Sequence, residues 1–182
     1  MNEIIEYIRS DYFRYTGIKA STFHLIFQGL MAKNHCFAYS FWMRLASRKN
    51  VFYYIAKLMH YRLSRKYGIQ ISPMCKIGYG FYIGHGVGII INSKTIIGNN
   101  CNVSQFLSIG SNKGTPAVIG DNVYIGPNVC IVENVHIGDN AIIGAGSVVV
   151  RDVPNDSTVV GNPAKVIGPN KHPEYISRRY CF

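Results

Sequence analysis

The sequence predicts a mainly β fold: a solenoid of short parallel strands, preceded by an α-helical region. Three observations carry that prediction. A branched aliphatic residue recurs every six positions, at Ile71, Ile77 and Ile83, then at Ile91, Ile97, Val103 and Ile109, then at Ile119, Ile125, Ile131, Ile137, Ile143 and Val149. The next residue is Gly in eight of these thirteen units, well above the ordinary glycine frequency of about 7%. The residue four places after the aliphatic is mostly small or β-branched, as at Val87, Thr95, Val123, Val129, Val135, Ala141, Ser147 and Val153. A period of six fits neither an amphipathic helix nor alternation along one long strand. It fits one strand per hexapeptide, with each aliphatic stacked on its equivalent one coil away. Three hexapeptides per coil make about four coils, since stacked repeats must share a continuous core. The glycines are expected to adopt backbone conformations closed to residues with a Cβ.

Residues 1–70 read as helices. The first begins at Asn2 with acids near its start, as the helix dipole favours, and Thr16-Gly17 ends it. Ser21 caps a second, carrying Phe23, Ile26, Phe27 and Leu30. Asn34 caps a third, with Phe37, Phe41, Trp42 and Leu45 at helical spacing, and Asn50 a fourth that closes on Arg65 and Lys66 before Gly68. Aromatics at three- and four-residue intervals predict packed helical faces and not a base-stacking surface, so no nucleic-acid partner is expected. The solenoid runs over 71–168, interrupted by a polar loop at 110–118 that reads Ser111-Asn112-Lys113-Gly114-Thr115-Pro116-Ala117. Protruding loops on rigid scaffolds often carry sites. The tail, 169–182, shows no pattern and is expected to be mobile.

Composition narrows the class. At 182 residues and 48% hydrophobic content, one or two compact units with an ample core are expected. No apolar run is long enough for a transmembrane helix, and Met1-Asn2-Glu3-Ile4 lacks the start of a secretory signal. Five scattered cysteines without a CxxC predict neither a disulfide framework nor a zinc site. Cys75 and Cys101 fall on the small inward position and read as buried thiols. A cytoplasmic protein is expected. The charge is uneven: residues 1–70 carry eleven Lys and Arg against three Asp and Glu, and no acid occurs between Asp11 and Asp121. Such a basic half suits a solvated helix face, a phosphate-bearing ligand, or peripheral contact with the inner face of a membrane.

The repeat, together with Ile142-Ile143-Gly144-Ala145-Gly146-Ser147-Val148-Val149 and Gly161-Asn162-Pro163-Ala164-Lys165-Val166, resembles the hexapeptide-repeat acyltransferases, and within them serine acetyltransferase. The resemblance covers roughly residues 36–168. It implies a left-handed parallel β-helix, a homotrimer, active sites between neighbouring subunits, and acetyl-CoA as co-substrate without a metal. His85, in Ile83-Gly84-His85-Gly86-Val87-Gly88, matches the family's catalytic histidine and sits where the repeat changes phase. An imidazole near neutrality can take the proton of a hydroxyl as it attacks a thioester. By similarity to galactoside acetyltransferase, Pro127, Ala145, Val150, Arg151 and Lys165 match positions that contact coenzyme A, with Arg151 and Lys165 suited to its phosphates. Asn102, Ser104 and Gln105, one coil from His85, are candidates for the acceptor.

Three departures bear on that acceptor. The family's Asp before the histidine is Gly84 here, a second Asp matches Gln70, and the loop lacks the family's second histidine. These losses lead to the expectation of an O-acetyltransferase acting on a sugar or surface-polysaccharide precursor. Serine O-acetylation is the alternative, and a non-catalytic trimeric scaffold the second. A γ-type carbonic anhydrase is excluded, because His60, His85, His136 and His172 lack the spacing of three metal ligands.

Overall fold

The computed structural model describes residues 2–112 and 114–181. Thirteen strands of two or three residues, from Gln70–Ile71 to Val148–Val149, wind into a three-sided parallel β-helix. On the first face Ile71, Ile91, Ile109, Ile131 and Val149 stand in register. The second face stacks Ile77, Ile97, Ile119 and Ile137, continued by a bridge to Val153. The third stacks Ile83, Val103, Ile125, Ile143 and Val159. None of these residues is more than 6% exposed, so the three columns are the core. The two residues added after Ile83 and the four added after Ile109 leave the register intact and bulge outward at the edges.

The repeat glycines serve a purpose other than the expected one. None of the eight has a positive φ; the left-handed positions fall two residues later, on Asn100, Asn122 and Asn140, a residue type that tolerates them. Six of the eight are needed for close approach, and Gly84 and Gly110 have room for a Cβ. A Cβ on Gly120 would lie 2.2 Å from the Asp139 carboxylate, which accepts the Asp121 N–H at 2.7 Å. The same rung recurs where Asp121 accepts from Asn99 at 2.7 Å and Asn155 from Asp139 at 3.0 Å. Val87 departs from the small inward pattern: it is 43% exposed, and Ile89 fills the interior. Cys101 is buried and Cys75 half-buried, and all five cysteines are free. Burial pushes the Cys101 thiol up to about 12 and the Cys75 thiol to about 11.

Four helices cover the first coil: α1 (Asn2–Thr16), α2 (Thr22–Met31), α3 (His35–Leu45) and α4 (Tyr53–Tyr67). Ser21 accepts the His24 N–H, and Asn34 accepts those of Cys36 and Phe37, as N-caps do. Asn50 instead caps a turn by accepting the Phe52 N–H, and α4 starts at Tyr53. Gly68, at φ 66°, ends α4. Almost every residue of α3 is buried. One side of α3 packs Phe37, Phe41 and Trp42 with Ile4, Ile8 and Leu25; the other sets Cys36, Tyr39 and Met43 on the solenoid core.

Polar side chains lock the helices to the first coil. Asp11 and Arg44, both buried, form a two-pronged pair at 2.9 and 3.0 Å. Arg44 also donates to the Ile77 and Gly78 carbonyls at 2.7 and 2.6 Å, and Asp11 accepts the Phe81 N–H at 2.8 Å. Arg14 donates to the Gly80 carbonyl at 2.8 Å, and burial lowers its pKa to about 10. The tail is not the free segment its sequence suggested. The Tyr175 carbonyl accepts from Asn102 at 2.9 Å, the Tyr180 N–H donates to Asn100 at 2.8 Å, and the Ser177 carbonyl accepts from Arg14 at 3.0 Å. The tail thereby covers part of the third face.

Candidate active site

The two residues inserted after Ile83 create the site. Gly84 N–H makes the last regular rung, to the Val103 carbonyl at 2.8 Å. The chain then bulges, and the Val87 N–H returns to the His85 carbonyl at 2.8 Å, closing a three-residue turn around Gly86. Gly86 is pressed onto α3: its N–H points at Cys36 Sγ, 3.1 Å away, and an added Cβ would come within 3.0 Å of that sulfur and of Ile69. His85 itself adopts φ 52°, a left-handed conformation costing on the order of 1–3 kcal/mol for a residue with a Cβ. Its imidazole is exposed and has no hydrogen-bonding or acidic partner among the described residues.

His85 opens on a cleft of about 330 Å³. One wall is the third face, with Tyr82, Asn102, Ser104 and Tyr124; the other is helical, with Tyr15, Asn34, His35 and Cys36. Tyr15 anchors the strand that leads to the bulge: its hydroxyl accepts the Ile83 N–H at 3.0 Å and donates to the Ile83 carbonyl at 3.1 Å. Burial raises its pKa well above the phenol range, so it stays a donor. His35, the first residue of α3, lies with Nε2 3.4 Å from Cys36 Sγ and its ring 4.6 Å from that of Tyr67. A histidine on the helical wall escaped the sequence reading, because nothing in the spacing ties residue 35 to residue 85.

The predicted residues divide into groups. Asn102 and Ser104 line the cleft, but the Asn102 amide is engaged, accepting from Arg14 at 2.7 Å and donating to the Tyr175 carbonyl. Gln105 does not line it; its carbonyl accepts the Asn128 N–H at 3.0 Å. Pro127 and Ala145 continue the same edge one and two coils further on, linked by the Gly146 N–H to the Pro127 carbonyl at 2.9 Å. Lys165, opposite Val160 in the hairpin of Ser157–Gly161 and Ala164–Pro169, stands exposed at the end of that edge. Val150 and Arg151 are exposed on the following edge, from which the loop at 110–118 also leaves. In that loop Ser111 and Asn112 are held by Glu133 at 2.9 and 3.1 Å, and Lys113 lies outside the described residues. A second cleft, of about 900 Å³, separates α4 from the first face and contains Gln70, His60, Ser111 and Asn112. Among the described residues no group of three His, Cys, Asp or Glu could hold a metal ion.

Comparison with known proteins completes the picture. Residues 116–151 match the family model for the bacterial transferase hexapeptide (six repeats). Serine acetyltransferase 1, chloroplastic, of Arabidopsis thaliana is 37% identical over 162 residues, 86% of this chain and 49% of its own length. The serine acetyltransferase of Bacillus subtilis is 39% identical over 127 residues, 67% of this chain and 58% of its own. Among solved structures, the serine acetyltransferase of Neisseria gonorrhoeae in complex with serine superposes with a TM-score of 0.72 at 30% identity, covering 92% of this chain and 70% of that one. The β-helix is therefore of the left-handed acyltransferase type. The chain spans about half the length of the curated relatives it matches.

These relatives overturn the expectation of a sugar or polysaccharide acceptor. That inference rested on Gly84, Gln70 and the loop. Within one chain Gln70 and the loop residues Ser111 and Asn112 line the other cleft, while Gly84 lines the cleft at His85. The wall that faces His85 comes from Tyr15 of α1 and from Asn34, His35 and Cys36 at the start of α3.

Proposed function

The chain belongs to the hexapeptide-repeat acyltransferase superfamily, with serine acetyltransferases as its relatives, and on that premise we propose that it transfers an acetyl group from acetyl-CoA to the hydroxyl of serine. His85 acts as general base. It removes the hydroxyl proton as the oxygen attacks the thioester carbonyl, and a tetrahedral oxyanion forms by direct attack. Collapse expels the thiolate of coenzyme A, which takes the proton back from the imidazolium. The observation that carries this reading is the exposed imidazole of His85, held on a bulge in left-handed backbone at the mouth of a cleft.

The edge continuing past Pro127 and Ala145 gives the pantetheine arm small residues and open backbone, and Lys165 at its end suits a phosphate. Val150 and Arg151 stand on a different edge of the same chain. A homotrimer, in which a neighbour's edge flanks His85, would bring them to the cofactor and complete the site. His35 serves on the acceptor side, where an imidazole replaces the loop histidine that this chain lacks.

The test is release of coenzyme A thiol from acetyl-CoA on adding L-serine. His85→Ala lowers kcat by roughly 10²–10⁴ without moving the unfolding midpoint. His35→Ala raises KM for serine roughly tenfold, the loss of about one hydrogen bond to a charged group, and leaves KM for acetyl-CoA unchanged. Unchanged turnover in His85→Ala removes the assigned base, and thiol release indifferent to serine removes the acceptor.

A further inference from the structure

The outward faces of α2 and α4 are apolar and uncovered. Phe23 and Leu30 on α2, Val51 just before α4, and Tyr54, Ile55 and Leu58 on α4 are all more than half exposed, Phe23 and Tyr54 by 81% and 82%. Ile26 of α2 and Phe52 at the start of α4 meet across one shallow groove whose floor is Ile5, Glu6 and Arg9 of α1. Soluble monomers seldom leave large side chains exposed in such a run, and a contiguous apolar patch marks an interaction surface.

The charges around it select the partner. Lys33, Lys57, Arg62 and Lys66 are exposed and form no ion pair among the described residues. Neither helix carries an acid, and none occurs between Asp11 and Asp121. The acids nearest this surface, Glu6 and Glu3 of α1, are already paired with Arg9 and Arg48, so a second copy laid face to face would bring cations against cations with no unpaired acid to offset them. An anionic bilayer supplies both missing complements: headgroup charge for the Lys and Arg, and the acyl boundary for the aromatic and aliphatic side chains. The helices are too short to do more than lie in the interface; among the described residues none is long and apolar enough to cross a membrane. We propose that the α2–α4 face is a peripheral docking surface for an anionic lipid bilayer. This inference stands apart from the acetyl-transfer reading, because lipid binding is measured without turnover.

The experiment is flotation of the full chain with extruded vesicles of phosphatidylcholine, alone or with about 30% phosphatidylglycerol, a charge density that attracts basic surfaces. The chain floats with the anionic vesicles, stays behind with the neutral ones, and is released in high salt. Lys57→Glu with Arg62→Glu weakens binding roughly tenfold or more. Phe23→Ser with Leu58→Ser weakens it as well, and both pairs keep full acetyl transfer in solution. Absence from the anionic vesicles, or equal binding to both kinds, overturns the proposal. So does a smaller oligomer for Phe23→Ser with Leu58→Ser and unaltered flotation, which makes the face a contact between copies.

Discussion

In the solenoid, polar contacts are spread over equivalent rungs. Asp121, Asp139 and Asn155 each accept one backbone N–H from the coil above, and each rung involves its neighbours alone. The helical region concentrates its polar contacts on one buried pair. Asp11 and Arg44 together touch Ser40 of α3 and the backbone of residues 77, 78 and 81. A rung can be lost locally, whereas the pair holds helices and first coil together. The His85 cleft lies where the two regimes meet, with one wall from each. The bulge that carries His85 is a solenoid feature, but the shape of the cleft depends on the helices.

The comparison breaks if the two regimes respond alike to mutation. The largest effect is expected from Asp11→Ala, which strands a buried guanidinium and takes the acceptor from the Phe81 N–H. A loss of about 3–5 kcal/mol is expected in urea denaturation, as for other broken buried pairs. Asp139→Ala removes one acceptor at a solvated edge, where water can replace it, and should cost about 1 kcal/mol in the same measurement. Equal losses from the two would show that rungs are as cooperative as the clamp. The smallest effect concerns His60, whose Nε2 meets the Tyr39 hydroxyl at 2.9 Å and whose pKa burial lowers. The unfolded chain then binds the proton more readily. The stability contributed by neutral His60 is complete above about pH 6.5, the ordinary value, and is lost as pH falls through the lower folded pKa. Unfolding free energy followed from pH 8 to 5 should decline less for His60→Gln. An identical profile would exclude His60 as the source.

Much of this architecture was legible because it is periodic. The aliphatic columns follow from the spacing of Ile71 to Val149, and Ser21 and Asn34 cap the helices their positions suggest. The phase break at residues 83–91 marked the bulge that exposes His85. The misses have physical causes. The glycines suggest a backbone role, yet at Gly78, Gly98, Gly120 and Gly138 what excludes a Cβ is an oxygen from the next coil. A six-residue count places Val87 inward, because the insertion's position within its unit is invisible to it. The tail shows no pattern because it docks through carbonyls and amides, which every sequence possesses.

The sequence by itself determined the solenoid, its insertions and the candidate base, because a stacked fold turns each choice into a repeat of period six. Only the tertiary structure decided what faces that base. Tyr15 and His35 reach the cleft through the packing of α1 and α3 on the first coil. Contacts between elements of different period leave no common rhythm in the chain, so they become visible once the chain is folded.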